Sequence, residues 1–145
     1  MNETILRFGH PATLVAEYEH WVVLLRPSQP TLGSLVLAAK YEALAFSALP
    51  PAAFAELGLA VQDIEATLGE AVAYEKINYL MLMMVDRQVH FHVIPRYEGE
   101  RQALGLTIAD AGWPKAPALG EAMELDGPRI EAVTGWLRTL WPKGQ

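Results

Sequence analysis

The spacing of apolar residues changes at Pro51, and this change predicts a chain that combines a sheet with helices. The segments TLVAEYEHWVVLLRP (13–27) and SLVLAAK (34–40) are rich in aliphatic and aromatic residues, which is typical of strands. From Pro51 to residue 72, apolar residues recur every three or four positions, which is the period of an amphipathic helix. Because the expected strands are close in sequence, an antiparallel meander is the simplest arrangement.

The expected helix presents one apolar stripe. Its members are Phe54, Leu57, Val61, Ile64, Leu68 and Val72. The acidic residues of the segment lie largely off that stripe, and they are Glu56, Asp63, Glu65 and Glu70. Pro51 suits the first helical turn, where a missing N–H removes no hydrogen bond. A shorter helix is expected over 41–47.

The second half of the chain adds two strands and a terminal helix. KINYLMLMM (76–84) is apolar almost throughout, so it is expected to be a central strand, and QVHFHVIP (88–95) is the next strand after a short turn. Residues 98–128 are rich in Gly, Pro and Ala and are expected to be irregular, and helical spacing returns over 128–141. The prediction is an α+β fold: an antiparallel sheet of about five strands, one long helix and one C-terminal helix. A single domain is expected over residues 1–145.

Composition limits the kinds of site and partner. The chain has no cysteine, which excludes disulfides and thiolate chemistry. Its net charge of −6 and its lack of a basic block disfavour nucleic acid as a partner. The most apolar stretch, INYLMLMMV, is about half the length that a membrane-spanning helix needs, and no secretory signal is evident. We therefore expect a soluble cytoplasmic protein without a membrane partner.

A row of polar side chains lies on the strand at 88–95. Successive side chains on a strand face opposite ways, so Gln88, His90 and His92 share one face while the residues between them are apolar. Buried polar groups cost free energy unless they are paired, so this row needs an explanation.

Three explanations are open from the residues alone. The row is structural; or His90 and His92 bind a metal ion together with ligands from elsewhere; or one imidazole attacks phosphorus while its neighbours stabilise the charge on the phosphoryl oxygens. The available additional metal ligands are His10, His20, Asp86 and Glu98, and no spacing singles any of them out. The third explanation requires no metal or other cofactor.

The stretch QVHFHVIPRY resembles the signature of the histidine-triad (HIT) superfamily, His-φ-His-φ-His-φ-φ, where φ is apolar. HWVVLLRPSQPTLGSLVLAAK is similar to the first sheet segment of that family with its Pro-rich loop. The resemblance covers roughly residues 13–97 and leaves 98–145 as a C-terminal extension. It implies an α+β fold with about five antiparallel strands, usually a homodimer. It also implies a nucleotide hydrolase or transferase that acts at an α-phosphate of a dinucleoside polyphosphate, a nucleoside phosphoramidate or a related small-molecule phosphate ester.

The resemblance assigns roles to the motif residues. His90 takes the place of the central histidine, the nucleophile, and His92 takes that of the third, a donor to phosphate oxygens. Gln88 stands where the family has its first histidine. A glutamine amide donates a hydrogen bond but cannot deliver a proton, so Gln88 would remove help to a departing group.

Nucleotide- and phosphate-binding positions also depart from the family pattern. Arg26 stands where the family has an Asp or Asn that binds ribose, and it is able to pair with a phosphate instead. Ser34 replaces a further histidine, while Asn78 and Arg96 flank the motif as candidate phosphate ligands. A structural role for Asn78 and a solvated strand end at Arg96 are the alternatives. Two alternatives therefore stay open: a non-catalytic protein that binds a nucleotide or phosphate, and a metal-dependent hydrolase using His90 and His92. Trp113 is expected to pack over the sheet, or else to cap the pocket.

Overall fold

Strands and helices alternate along the chain in the computed structural model, which describes residues 1–143. In chain order, the elements are α1 (Glu3–Arg7), β1 (Leu14–Glu17), β2 (Trp21–Leu25), β3 (Ser28–Gln29), β4 (Leu35–Ala39), a 3₁₀ helix (Phe46–Ala48), α2 (Pro51–Val72), β5 (Lys76–Leu80), β6 (His90–Arg96), β7 (Glu100–Ala103), β8 (Leu106–Ala109), β9 (Met123–Glu124) and α3 (Gly127–Leu140). Five strands form one antiparallel sheet in the order β1-β2-β4-β6-β5. The predicted α+β class, with one long and one C-terminal helix, is confirmed.

The sheet is covered on both faces, so its inner strands β2 and β4 are buried along their whole length. One face packs against α2 and α3 through a large apolar core that includes Trp21, Leu37 and Ile64. The indole Nε1 of Trp21 also donates to the carbonyl of Ala53 in α2 at 2.8 Å. The opposite face packs against α1 through Ile5 and smaller sheet residues.

The register of β6 on β4 assigns the histidines to the α1 face. His92 pairs with Val36 and His90 with Ala38, and both partners belong to the apolar cluster under α1. The polar face that alternation predicted for the motif is therefore covered by the N-terminal segment of the chain.

Helix α1 was not expected from the sequence, although it begins with a recognisable cap. The side-chain Oδ1 of Asn2 accepts from the backbone N–H of Ile5 at 3.0 Å, and the Asn2 amide donates to the carbonyls of Ala39 and Tyr41. One polar side chain therefore both begins the helix and fixes it to the end of β4.

The expected central strand at 76–84 is wrong in position and length. Strand β5 ends at Leu80 and lies at the edge of the sheet. Met83 has φ of +50°, in the left-handed region that interrupts an extended strand. The apolar residues after Leu80 therefore leave the sheet, and three of them are exposed: Leu82, Met84 and Val85. The following strand also begins later than predicted, at His90 instead of Gln88.

Two further expectations are corrected in the loops. The stretch 98–128 contains the hairpin β7–β8, with positive φ at both Leu104 and Gly105 in its two-residue loop, and the short strand β9, which pairs with β3. No α-helix forms over 41–47, where two of the carbonyls have tertiary partners. That of Ala43, for example, accepts from the N–H of Val89 at 3.1 Å.

Helix α2 begins at Pro51 as predicted, but its buried side differs from the expected stripe. Ile64, Leu68 and Val72 are buried, whereas Phe54 is exposed. Asp63, expected off the stripe, is buried and accepts a hydrogen bond from the hydroxyl of Tyr18 at 2.6 Å. Burial and the neighbouring Asp63 carboxylate raise the pKa of Tyr18 above its usual value, so the phenol stays protonated and able to donate.

Candidate active site

The two motif histidines line a cavity of about 250 Å³ on the α1 face of the sheet. We call it the histidine cavity. Its lining is apolar except for two imidazoles, one guanidinium and one carboxylate, and it consists of Phe8, Arg26, Leu82, Met83, Met84, Val85, Asp86, His90 and His92. It therefore combines a small group of polar side chains with a largely apolar wall, which is the usual character of a small-molecule site.

A backbone carbonyl fixes the tautomer of His90. Its Nδ1 lies 2.8 Å from the main-chain oxygen of Gln88, and a carbonyl oxygen only accepts, so Nδ1 carries the hydrogen. In the neutral imidazole, Nε2 then has an unprotonated lone pair. The ring is nearly fully buried and packs against Phe8, with ring centroids 5.7 Å apart. The hydrogen bond and the Phe8 contact therefore fix the orientation of the His90 ring.

His92 has the opposite tautomer. The Nε of Arg26 donates to its Nδ1 at 3.3 Å, so in the neutral ring the hydrogen is on Nε2. Burial is the main reason that the pKa of His92 falls to about 4, and the nearby Arg26 charge lowers it further. At neutral pH, His92 is therefore an uncharged donor. Its ring lies edge-on to that of His90, with centroids 5.0 Å apart.

Arg26 brings a positive charge to the same cavity. Its Nη1 donates to the carbonyl of Ser28 at 2.7 Å, and its Nε is used by His92. Burial lowers the pKa of Arg26 from its ordinary value, yet a guanidinium remains protonated in proteins. The cavity thus contains a lone-pair nitrogen, a neutral N–H donor and a fixed cation, a set suited to chemistry at a phosphate.

Solved structures with this architecture include histidine triad proteins. The one from Bradyrhizobium japonicum has a TM-score of 0.74 and 19% identity, over 97% of this chain and 96% of that one. Another, from Sinorhizobium meliloti 1021, has a TM-score of 0.73 and 23% identity, over 96% and 94%. A diadenosine triphosphate hydrolase from Plasmodium falciparum, in complex with cyclomarin A, has a TM-score of 0.65 and 9% identity, over 89% and 76%.

The chain has the histidine-triad fold. The resemblance expected from QVHFHVIPRY is thereby confirmed at the level of the fold. No family model matches the sequence, and no curated protein matches it significantly. Within residues 1–143, no helix has the length and hydrophobicity needed to cross a membrane.

In this histidine-triad fold, the first motif residue, Gln88, acts on the cavity through its backbone, whereas its side chain lies elsewhere. The Gln88 carbonyl orients His90, but its side chain does not line the histidine cavity. The amide oxygen accepts from the hydroxyl of Thr4 at 2.5 Å and from the Thr4 N–H at 3.3 Å, while the amide nitrogen donates to Glu42 at 3.4 Å. Gln88 therefore joins α1 to the motif.

Ser34 lies outside the histidine cavity. Its hydroxyl donates to the carbonyl of Thr31 at 2.8 Å, and its own carbonyl accepts from the backbone N–H of Arg26 at 3.0 Å. It therefore shapes the loop after β2, from which Arg26 reaches His92.

Asn78 and Arg96 contact each other, but they line a different cavity. The Nη1 of Arg96 donates to the Asn78 side-chain oxygen at 2.8 Å, and both residues face a space of about 400 Å³. Arg96 also forms a buried two-point ion pair with Asp110, at 2.7 and 3.1 Å. Trp113, expected over the sheet or over the pocket, lines this second cavity. Of the predicted nucleotide- and phosphate-binding residues, the structure brings only Arg26 to the histidines.

Among residues 1–143, no group of three potential metal ligands lying close together includes His90 or His92. The only such group within these residues is Glu19, His20 and Glu56. Asp86 lines the histidine cavity, and its carboxylate pairs with Arg7 at 3.4 Å.

Sequence reasoning missed the apolar wall of the histidine cavity. Phe8 contacts both imidazoles, yet an isolated aromatic residue near the N-terminus gives no periodic pattern that marks it. The apolar residues 82–84 are predicted as strand and Val85 as part of a turn, yet all four line the cavity. An apolar sequence fits a loop beside a cavity as well as it fits a strand.

Proposed function

We propose that this protein is a nucleotidyl hydrolase or transferase that acts at an α-phosphate through a covalent intermediate on His90. The observation that carries the proposal is the 2.8 Å hydrogen bond from His90 Nδ1 to the Gln88 carbonyl. It leaves the Nε2 lone pair free, and a nucleophile in the correct tautomer is what covalent catalysis on phosphorus needs. The histidine triad fold supports the same chemistry, since the Plasmodium falciparum protein of this fold is a diadenosine triphosphate hydrolase.

In the first step, His90 Nε2 attacks the α-phosphorus. A P–N bond forms as the bond to the leaving group breaks, and the leaving group departs with the bonding electron pair. The imidazole becomes positively charged, and its Nδ1–H remains directed at the Gln88 carbonyl, which stabilises that charge. In the second step, water or another acceptor attacks phosphorus and releases its proton to solvent, while the P–N bond breaks and its electron pair returns to the imidazole as a lone pair.

His92 and Arg26 stabilise the charge on the transferring phosphoryl group. The Nε2–H of His92 is the neutral donor, and the Arg26 guanidinium supplies a positive charge on the same side. Fixed donors in a partly dry cavity are worth more than the same donors in water. Because the Arg26 contact holds the His92 ring, the two residues act together.

Gln88 favours substrates whose leaving group departs unprotonated. Its amide is unable to give up a proton, and its side chain is engaged with Thr4 and Glu42. A phosphoanhydride releases a stable phosphate anion, whereas a phosphoramidate releases an amine that needs a proton. We therefore propose dinucleoside polyphosphates ahead of nucleoside phosphoramidates as the substrate class.

The apolar wall supports a nucleoside as the group held beside the α-phosphate. Phe8 and residues 82–85 offer aromatic and aliphatic surface next to the two imidazoles, which suits a flat base.

We also propose a cytoplasmic homodimer. The outer side of β5 has no partner strand among residues 1–143, so a second copy is able to extend the sheet there.

A non-catalytic nucleotide-binding role is the second candidate. It is favoured by the burial of His90, which is only 1% exposed, and by the use of the Gln88 side chain away from the cavity. In that case the histidine cavity would hold the nucleotide without forming a P–N bond.

Mass spectrometry separates the two roles. The protein is incubated with diadenosine polyphosphates and, in parallel, with adenosine 5′-phosphoramidate, then quenched and measured for addition of one adenylyl group. The enzyme role predicts turnover and an adduct that His90→Ala abolishes. Binding without turnover or adduct supports the second role. The absence of both turnover and adduct with either substrate would mean that the catalytic role is wrong for these substrates.

A further inference from the structure

Three cationic side chains line the second cavity, which has a volume of about 400 Å³. Lys76, Arg96 and Lys115 all line it, in a chain whose net charge is −6. Lys76 and Arg96 are directly opposite each other in the β5–β6 register, an arrangement that is destabilising for like charges. Cationic side chains held close together in this way favour the binding of an anion.

The carboxylate inside this cluster is already fully used. Asp110 accepts from Arg96 at two points, from the Tyr97 N–H at 3.1 Å and from the Gly112 N–H at 3.2 Å. A carboxylate has about four acceptor positions, so Asp110 offsets Arg96 and has none left for the lysines. Within residues 1–143, neither Lys76 nor Lys115 has a carboxylate oxygen within 4.0 Å.

One wall of the second cavity is apolar and held by local contacts. Trp113 and Pro114 provide it, and the N–H of Trp113 donates to the carbonyl of Asp110 at 3.3 Å. At Gly112, an added Cβ would lie 2.3 Å from the carbonyl oxygen of Ala116, so this loop closes tightly on itself. The wall is thus formed before any ligand arrives, which lowers the cost of binding.

We propose that the second cavity binds a small organic anion, a phosphate monoester or a carboxylate, with a flat apolar body. The charged group would lie between Lys76 and Lys115, and the body would pack on Trp113. Arg96, expected from the sequence to bind phosphate, would serve here with Asn78, which orients its guanidinium.

This site is separate from the histidine cavity. The two cavities share no lining residue, and Arg96 lies four residues beyond His92 on β6, about 13 Å along a strand. The proposal therefore does not depend on whether His90 is a nucleophile.

The indole N–H resonance of Trp113 is the most direct probe. It is assigned in a ¹⁵N–¹H spectrum by its loss in Trp113→Phe, and the protein is titrated with phenyl phosphate, benzoate and uncharged phenol. We expect a saturable shift with at least one of the two anions and none with phenol at equal concentration. Which anion binds more tightly distinguishes a phosphate ligand from a carboxylate ligand. An equal response to phenol would mean apolar contact only and would overturn the proposal.

Charge removal gives the second test. The double variant Lys76→Gln/Lys115→Gln should weaken anion binding by about tenfold or more, because two cations close to the anion are lost. Arg129→Gln removes the charge of an exposed arginine in α3 and should leave the affinity unchanged. Arg26→Gln, in the histidine cavity, should also leave the affinity of the second cavity for the anion unchanged. The proposal fails if the lysine double variant binds normally, or if Arg26→Gln instead removes the Trp113 shift.

Discussion

The Nε–H of Arg26 donates to Nδ1 of His92 across 3.3 Å, so a permanent cation holds this imidazole in its neutral, Nε2-protonated form. A protonated His92 would have to break this contact and place a second positive charge beside the guanidinium. The pKa of His92, about 4, lies well below the ordinary value of about 6.5, mainly because the ring is buried and also because of the nearby Arg26 charge.

His92 makes the stability of the fold depend on pH. In the unfolded chain, His92 gains a proton as pH falls below about 6.5, while in the folded chain it does so only near 4. The unfolded state therefore binds more protons in this window, and folding stability falls as pH decreases from about 6.5 to 4, by up to about 3 kcal/mol from this group. Urea unfolding at pH 7 and pH 4.5 measures the change. His92→Gln should show a smaller loss, and an identical loss in both proteins would contradict the assignment.

Removing the proposed nucleophile should separate chemistry from binding. His90→Asn keeps a polar side chain of similar reach but has no imidazole to attack phosphorus. Turnover of a diadenosine polyphosphate should fall by about 10³-fold or more, and the adenylyl adduct should disappear. Nucleotide affinity, measured by calorimetry, should change by less than about threefold, because the apolar wall and Arg26 remain. Retention of the adduct in His90→Asn would exclude this residue as the nucleophile.

Gln88 should matter for the stability of α1. Gln88→Ala leaves Thr4 without the acceptor for both its hydroxyl and its N–H, in a buried setting, and should lower the free energy of unfolding by about 1–3 kcal/mol. Gln102→Ala, on an exposed position of β7, is the matched control and should change it by less than about 0.5 kcal/mol. Hydrogen exchange in α1 should accelerate only in the first variant. Equal effects of the two substitutions would mean that Gln88 does not anchor the helix.

The buried pair of Tyr18 and Asp63 gives a further test of the core. Tyr18→Phe removes the hydroxyl that donates to the Asp63 carboxylate and accepts from the Trp141 indole at 3.1 Å. Two polar groups lose a partner, so a loss of about 2–4 kcal/mol is expected in chemical denaturation. Tyr79→Phe removes a comparable bond to Glu65 nearer the surface and should cost less. A smaller effect at Tyr18 than at Tyr79 would contradict this reasoning.

Residue periodicity predicted the motif strand and the long helix α2. The alternation in QVHFHVIP indicated the shared face of His90 and His92, and the helical spacing after Pro51 indicated α2, although the buried side of that helix departs from the expected stripe at Phe54 and Asp63. The same reasoning failed at 76–84, since an apolar residue on a ligand cavity and one in a central strand look alike in sequence. Arg96 illustrates a second limit. Its partner Asp110 is supplied across the hairpin β7–β8, a long-range contact that spacing does not reveal.

The exposed part of the cavity wall has a consequence for how the protein can change. Leu82, Met84 and Val85 are 49%, 82% and 77% exposed, and none belongs to the buried core clusters. Substitutions at these three positions alter the surface offered to a ligand while leaving the sheet and its helices intact. For the proposed nucleotide site, ligand preference would therefore depend on three exposed side chains that can be exchanged without removing any side chain from the buried core.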